Sequence, residues 1–195
     1  MEIITEIEKY VKEAIEEYKE QASDHYDFWE EHIKYVYEEA SLLASKYNAD
    51  EEIVKLGALL HDIALIKKVG TRADHHINGE IISREILTKY NYPQDKMEKV
   101  LKCVFNHRSS KNATSIEEMC VADADILAHF DNIPMLINSA KRNNIPEDKV
   151  NDYLKEVFEK DYNDLSDMTK ESFKERYESI CEEVLENKRN NLTFN

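Results

Sequence analysis

The sequence predicts a single-domain, all-α fold. Apolar residues recur every three or four positions along most of the chain, and no long stretch alternates with period two. Only three glycines and three prolines interrupt 195 residues, whereas a β protein needs many turns. A hydrophobic content of 42% is enough for one core. We therefore treat residues 1–195 as one helical domain.

Three helices are predicted first. Apolar positions at helical spacing run through residues 3–18, and a break near residues 23–24 separates them from a second helix over 29–43. Asp50 can cap the third helix, because an aspartate side chain accepts hydrogen bonds from the first free amides. This third helix carries an apolar run that ends at His61-Asp62.

Two further helices flank polar loops. After the loop 67–76, Asn78 can cap a fourth helix that reaches Tyr90. Pro93 opens a fifth helix, whose apolar stripe spans 97–105. A second polar loop, from Asn106 to Ala113, follows this helix.

The C-terminal part continues the helical pattern. Ser115 followed by Glu118 is a capping-box pattern that starts a sixth helix, expected to reach about Phe130. Pro134 and Pro146 mark further helix starts. The last two amphipathic helices have their apolar positions within 150–157 and 173–184, which completes an all-α pattern.

Charge and composition exclude several partners. The formal net charge is 26 − 41 = −15, which disfavours binding duplex nucleic acid or an anionic membrane by bulk charge. No stretch is long and apolar enough to span a bilayer. The three cysteines are far apart and form no CxxC pair, so we expect reduced thiols in a cytoplasmic protein. A small phosphorylated substrate stays possible, because a metal makes a site locally positive.

His61 and Asp62 stand together at the end of the apolar run Ile53–Leu60. Burying two titratable groups without partners costs several kcal/mol. A divalent metal would supply the partner, since imidazole and carboxylate are both good ligands. The alternative is a buried, hydrogen-bonded histidine beside an aspartate that ends a helix.

Four segments in order resemble the HD superfamily of metal-dependent phosphohydrolases, over roughly residues 25–135. They contain a first histidine before an apolar helical face, the central HD pair, a third histidine element and a final aspartate element. These segments are His32-Ile33-Lys34-Tyr35-Val36, Ala58-Leu59-Leu60-His61-Asp62-Ile63-Ala64, His76-Ile77-Asn78-Gly79-Glu80-Ile81 and Ala122-Asp123-Ala124-Asp125-Ile126-Leu127.

The resemblance implies a ligand set. The basic site of the family corresponds to His32, His61, Asp62 and Asp125. In members with two metals the HD aspartate bridges, and two more histidines, here His76 and His107, hold the second ion. The metals implied are divalent, with Fe, Mn, Zn, Ni and Mg all open.

Several of these positions have rivals. His75 adjoins His76, and the spacing to Gly79 favours His76. Asp123 competes with Asp125, which is preferred because it directly precedes Ile126-Leu127. His107 could simply end the fifth helix.

Two other histidines share a helical face with predicted ligands. His25 lies seven residues before His32 and could meet the substrate or lie on the surface. His129 lies four residues after Asp125 and could orient a water molecule or a phosphate, or extend the polar side of its helix.

Cations follow His107 directly. Arg108 and Lys111 suit phosphate recognition, arginine through paired hydrogen bonds and lysine as a point charge. A solvated loop is the alternative, and Arg72 in the other loop is a weaker candidate.

The expected function is metal-assisted hydrolysis of a phosphoester or phosphoanhydride in a nucleotide or related small molecule. Asp62, Arg108 and Lys111 are the candidate catalytic residues. Two other functions fit the same ligand set: a di-iron HD-type oxygenase, and a catalytically silent metal-binding module. The oligomeric state is left open.

Overall fold

Helices form the regular structure throughout residues 2–22 and 26–186, the part of the chain that the computed structural model describes. No β-strand occurs within these residues. The α-helices are α1 Glu2–Gln21, α2 Lys34–Tyr47, α3 Glu51–Leu60, α4 Ile63–Ile66, α5 His75–Lys89, α6 Gln94–Asn106, α7 Ile116–Asp131, α8 Ile133–Arg142, α9 Val150–Asp164 and α10 Asp167–Cys181. Short π-helical turns (Trp29–Ile33, Glu182–Glu186) and 3₁₀ turns (Ser110–Asn112, Glu147–Lys149) complete the order. The prediction of an all-α fold is confirmed.

Local capping explains where the helices around the site begin. The Asp50 side chain accepts hydrogen bonds from the amides of Glu52 and Ile53, as predicted for the start of α3. Ser115 caps α7 by accepting from the amide of Glu118 at 3.2 Å. The Glu118 side chain does not complete a capping box; it turns to the amide of Thr114 at 3.0 Å.

The third helix is the centre of the bundle. Helix α3 packs against α1, α2, α6 and α7, and seven of its ten residues are buried. A methyl group on Gly57 would come within 2.7 Å of Cys103 Cβ and 3.1 Å of Val121 Cγ2. The absence of a side chain at Gly57 therefore lets α3 approach α6 and α7 closely, which fixes the position of the His61-Asp62 pair at its end.

Two predictions about α5 and α6 were wrong. Helix α5 begins at His75, three residues before the predicted cap, and Asn78 lies inside it. The predicted apolar stripe of α6 is buried at Met97, Val100, Leu101 and Val104, but Phe105 is 40% exposed.

The C-terminal helices are fastened to α7 by a buried aspartate. Asp123 is fully buried and accepts hydrogen bonds from the hydroxyls of Ser110 and Ser166 and from the amide of Ser166. It therefore ties the turn before α10 and the 3₁₀ turn after α6 to α7. Asp123, which competes with Asp125 in the sequence, is therefore a buried residue that connects elements of the fold.

Hydropathy and length exclude a membrane-spanning helix among the described elements.

Gly57→Ala should destabilise the fold. Alanine favours a helix over glycine by up to about 1 kcal/mol, but the added Cβ overpacks the contact with Cys103, which costs roughly 1–3 kcal/mol. We expect a lower midpoint in urea unfolding. Gly79→Ala is the control. Its Cβ would meet Val104 Cγ1 at 3.2 Å, a looser contact, so this variant should lose less stability. A Gly57→Ala variant as stable as the wild type would contradict the close packing.

Candidate metal centre

Six side chains from five regions of the bundle converge at one point. They arrive from the turn before α2, the end of α3, the start of α5, the end of α6 and the middle of α7. These residues are His32, His61, Asp62, His75, His107 and Asp125.

The histidine nitrogens meet in two pairs. The Nε2 atoms of His32 and His61 are 3.1 Å apart, and those of His75 and His107 are 2.9 Å apart. All four rings are buried, with His61 fully so.

Asp62 lies between the two pairs and offers one oxygen to each. Its Oδ1 is 3.2 Å from His75 Nε2 and 3.9 Å from His107 Nε2. Its Oδ2 is 3.6 Å from His61 Nε2 and 3.9 Å from His32 Nε2. A carboxylate divided in this way has the arrangement of a bridging ligand.

Asp125 completes the first group. Its Oδ1 lies 2.9 Å from His32 Nε2 and 3.7 Å from His61 Nε2. Two overlapping donor sets result: His32, His61, Asp62 and Asp125 on one side, and Asp62, His75 and His107 on the other.

Main-chain carbonyls fix the orientation of three rings. The Nδ1 atoms of His61, His75 and His107 lie 2.7, 2.7 and 2.6 Å from the carbonyl oxygens three residues earlier. A carbonyl oxygen only accepts, so each Nδ1 carries a proton and donates it. Nδ1 of His32 is buried and has no such partner among the described residues.

This protonation leaves lone pairs facing each other. When both rings are neutral with Nδ1 protonated, His75 and His107 present unprotonated Nε2 atoms at 2.9 Å. Burial alone would lower the pKa of His75, but its hydrogen bond to Asp62 outweighs burial and raises that pKa above its ordinary value. Burial lowers the pKa of His107 to about 4, so a proton does not readily settle on that ring. A proton between these atoms would form a hydrogen bond between only two of them. A metal ion would bind both Nε2 atoms and Asp62 Oδ1 together. The donor set therefore fits a divalent transition metal.

The carboxylates are held in the form that binds metal. Burial alone would raise the pKa of Asp62 and Asp125, but the surrounding imidazoles outweigh it. His61 has the largest opposing effect on Asp62, and His32 on Asp125, so the pKa of each lies below its ordinary value.

The structure places His75, and not His76, in this cluster. Adjacent residues on a helix point about 100° apart, so only one of the two can face the centre. Because α5 starts at His75, that ring meets His107, while the His76 ring lies 5.3 Å from Phe105. The preference for His76 rested on its spacing to Gly79, which does not show which of the two rings faces the cluster. The structure brings the other five predicted ligands together.

The two predicted cations have different surroundings. Arg108 lines the cavity beside the cluster, and its Nη1 donates to the carbonyl of Ala73 at 2.9 Å. Lys111 pairs with Asp164 at 2.9 Å on the exposed surface and is not among the residues that line the cavity. The structure therefore does not bring Lys111 into the lining of the cavity.

His129 does lie beside the centre. Its ring is stacked at 5.8 Å on that of His32, and its Nδ1 donates to the buried Asp161 at 2.7 Å. Burial alone would lower the pKa of His129, yet Asp161 raises it above its ordinary value. His25, the other histidine considered from the sequence, lies outside the described residues.

A cavity of about 550 Å³ opens from the cluster, within the range of small-molecule sites. Its lining adds residues that sequence reasoning missed or ranked low: Tyr26, Arg72, Arg142 and Asp161. Arg142 and Asp161 come from α8 and α9, beyond the segments that resemble the family, so no local signal marked them.

The HD domain family model matches residues 29–129, just over half of this chain. An uncharacterized protein of Clostridium beijerinckii (strain ATCC 51743 / NCIMB 8052) is 31% identical over 74 residues. That stretch is 38% of this chain and 47% of that protein, so the chain spans about half the length of this curated relative.

Two solved structures share the fold. A predicted HD superfamily hydrolase from an uncultured Thermotogales bacterium aligns with a TM-score of 0.65 and 23% identity, over 94% of this chain and 90% of its own. An HD-superfamily hydrolase from Bacillus thuringiensis aligns with a TM-score of 0.66 and 20% identity, over 95% and 92%. At these identities the likeness concerns the fold alone.

His75→Ala should lower the metal content, and His76→Ala should not. Only His75 faces the donor set that contains His107 and Asp62. After loading with Mn²⁺ and desalting, we expect the wild type and His76→Ala to retain similar metal per chain by mass spectrometry. The His75→Ala variant should retain about half as much. Equal loss in both variants would contradict the assignment.

Proposed function

Because this chain belongs to the HD domain family, we propose that it is a metal-dependent phosphohydrolase. Its substrate would be a small phosphorylated molecule, an ester or anhydride such as a nucleotide. The supporting observation is the pair of buried donor sets that share Asp62 and open into a cavity of about 550 Å³.

Two divalent ions would occupy these sets. His32, His61, Asp62 and Asp125 would hold the first, and Asp62, His75 and His107 the second. When bound, such a pair polarises a phosphoryl oxygen and makes water more acidic. The approach of the His75 and His107 Nε2 atoms to 2.9 Å from each other, with Asp62 Oδ1 at 3.2 Å from His75 Nε2, supports the second position.

Arg108 would bind the phosphoryl group. Its hydrogen bond to Ala73 uses one nitrogen of the guanidinium and holds the side chain at the cavity wall. The remaining N–H groups suit two oxygens of one phosphoryl group, because the planar fork of arginine matches that spacing. This contact would orient phosphorus toward the metal centre.

His129 would position a water molecule or a phosphoryl oxygen. Asp161 accepts a hydrogen bond from Nδ1–H and fixes the ring, which leaves Nε2 as the other polar atom. A ring nitrogen of His129 lies within 4.8 Å of donor atoms on His32 and Asp125. A hydrogen bond from this position would reach a group held beside the first donor set.

A phosphate-release assay tests the proposal. Full-length protein would be purified anaerobically, analysed for metals, loaded separately with Mn²⁺, Mg²⁺ and Fe²⁺, and assayed on a panel of nucleotides and phosphoesters. Metal-dependent phosphate release would support it. Oxygen uptake with iron but no phosphate release would favour the di-iron oxygenase, and retained metal without turnover would favour the binding module.

Asp62→Asn should be the most damaging single change. Asparagine keeps the shape but removes the charge that both ions would share, so metal content and turnover should fall together. We expect a loss in kcat/KM beyond the roughly 10–100-fold typical of outer-shell changes. Circular dichroism would verify that the helices persist. Full activity with normal metal content would refute the bridging role.

Arg108→Ala should weaken the substrate contact while leaving metal content unchanged. Losing one charged hydrogen bond costs roughly 1.5 kcal/mol, or about tenfold in kcat/KM. Lys111→Ala is the matched control, because it removes the same charge three residues away on the exposed surface. Equal kinetic losses in the two variants would show a general charge effect, and metal loss in Arg108→Ala would indicate a structural role.

A further inference from the structure

Three arginines line the cavity, and none of them pairs with a carboxylate among the described residues. They are Arg72, Arg108 and Arg142. The two described arginines elsewhere do form ion pairs, Arg84 with Glu80 and Glu98, and Arg176 with Asp131 and Glu39. In a chain of net charge −15, three guanidinium groups without an acidic partner at one cavity are an unusual concentration.

The acids of the cavity are already engaged. Asp161 accepts from His129, and Asp164 lies 2.9 Å from Lys111 and 3.7 Å from Lys160. Asp62 and Asp125 belong to the donor sets of the metal centre. The three arginines are exposed and mark the mouth of the cavity, where they present positive charge toward whatever enters it.

Arg142 is held in place by an aromatic stack. It is the last residue of α8, and its guanidinium lies over the Tyr26 ring, 4.8 Å from the centroid. Phe28 packs edge-on against Tyr26 at 4.7 Å and against Tyr18 at 5.0 Å, which fixes the ring beneath the cation. Stacking occupies the face of a guanidinium and leaves its N–H edge available for an anion.

Arg72 is tied to the metal centre through its backbone. Its carbonyl accepts a hydrogen bond from His75 Nδ1–H. The backbone of Arg72 therefore has a fixed position relative to the donor set that contains His75. Arg72 and Arg142 both lie close enough to Tyr26 to favour the charged form of its hydroxyl, although burial raises the pKa of Tyr26 overall. Tyr26, Arg72 and Arg142 line the same cavity, and Arg142 lies over the ring.

We propose that Arg72 and Arg142 form a second anion-binding subsite, so that the substrate carries two anionic groups. One is the phosphoryl group at the metal centre, and the other, a second phosphate or a carboxylate, lies at the mouth. This inference rests on the proposed function and specifies its substrate class. A cavity of about 550 Å³ leaves room for more than the single phosphoryl group that the centre and Arg108 would bind.

Non-hydrolysable ligands test the subsite directly. Mn²⁺-loaded, full-length protein would be titrated calorimetrically, at 0.15 M salt, with α,ω-alkylene bisphosphonates of increasing chain length. The reference for each is the alkylphosphonate of equal length, which lacks the second anion. We expect the bisphosphonate to bind more tightly than the alkylphosphonate of equal length. The ratio of the two affinities should peak at one chain length and reach about tenfold there.

Substitutions then show which arginines cause the preference for the bisphosphonate. Arg142→Ala and Arg72→Ala should each reduce the affinity ratio by about three- to tenfold, whereas Arg84→Ala, a matched loss of charge on the outer surface, should leave it unchanged. Analogous ω-carboxyalkylphosphonates show whether the second group is a carboxylate or a phosphate. No preference at any length, or an equal reduction by Arg84→Ala, would overturn the subsite.

The readout separates this inference from the proposed function. If the protein prefers bisphosphonates through Arg72 and Arg142 but releases no phosphate from any substrate, the subsite stands and the hydrolase proposal fails. If it hydrolyses phosphomonoesters but shows no preference for bisphosphonates, the hydrolase proposal stands and the subsite fails.

Discussion

When neutral, the rings of His75 and His107 face each other through Nε2 lone pairs, because the Nδ1–H of each ring donates a hydrogen bond to a main-chain carbonyl behind it. Two such lone pairs at 2.9 Å repel each other inside a protein, where water does not screen them. A cation between them removes the repulsion. The surrounding helices hold these rings buried, with Nε2 of each facing the centre.

Helix ends supply the acceptors that orient the rings. Ala58 lies in the last turn of α3 and Val104 in the last turn of α6, where main-chain carbonyls have no partner within the helix. His61 and His107 follow these ends and donate to those carbonyls. The negative ends of two helix dipoles therefore lie next to the point where a cation would bind, which favours the cation further. Terminating both helices at the centre satisfies the carbonyls and aims the ligands with the same hydrogen bonds.

The cavity has its metal-ligating groups at the buried end, which we call the floor, and its arginines at the exposed mouth. Carboxylates and imidazoles at the floor suit a cation, whereas arginines without acidic partners at the mouth suit an anion. An acidic chain can therefore handle an anionic substrate, because both sources of positive charge lie at the site while the excess of acids covers the outer surface.

Helix α7 shows how one short segment serves two purposes. Asp125 and His129 are one turn apart and face the centre, and Asp123, two residues before Asp125, points away into the interior. There Asp123 bonds Ser110 and Ser166, which fixes the turn that leads into α10. The two aspartates were rivals for one role in the sequence, and the helical period assigns each a different one.

The sequence by itself determined the all-α class, most of the caps and five of the six clustered residues, because helical periodicity and the HD pair are local patterns. It placed the cap of α5 at Asn78, four residues after the observed cap Asp74, and the spacing to Gly79 favoured His76 over His75. Tertiary structure alone decided that Lys111 pairs with Asp164 on the surface and that Arg142 reaches the cavity over Tyr26. Those outcomes depend on how α8 and α9 pack across the opening, and contacts between residues far apart in the chain leave no mark on the spacing of either segment.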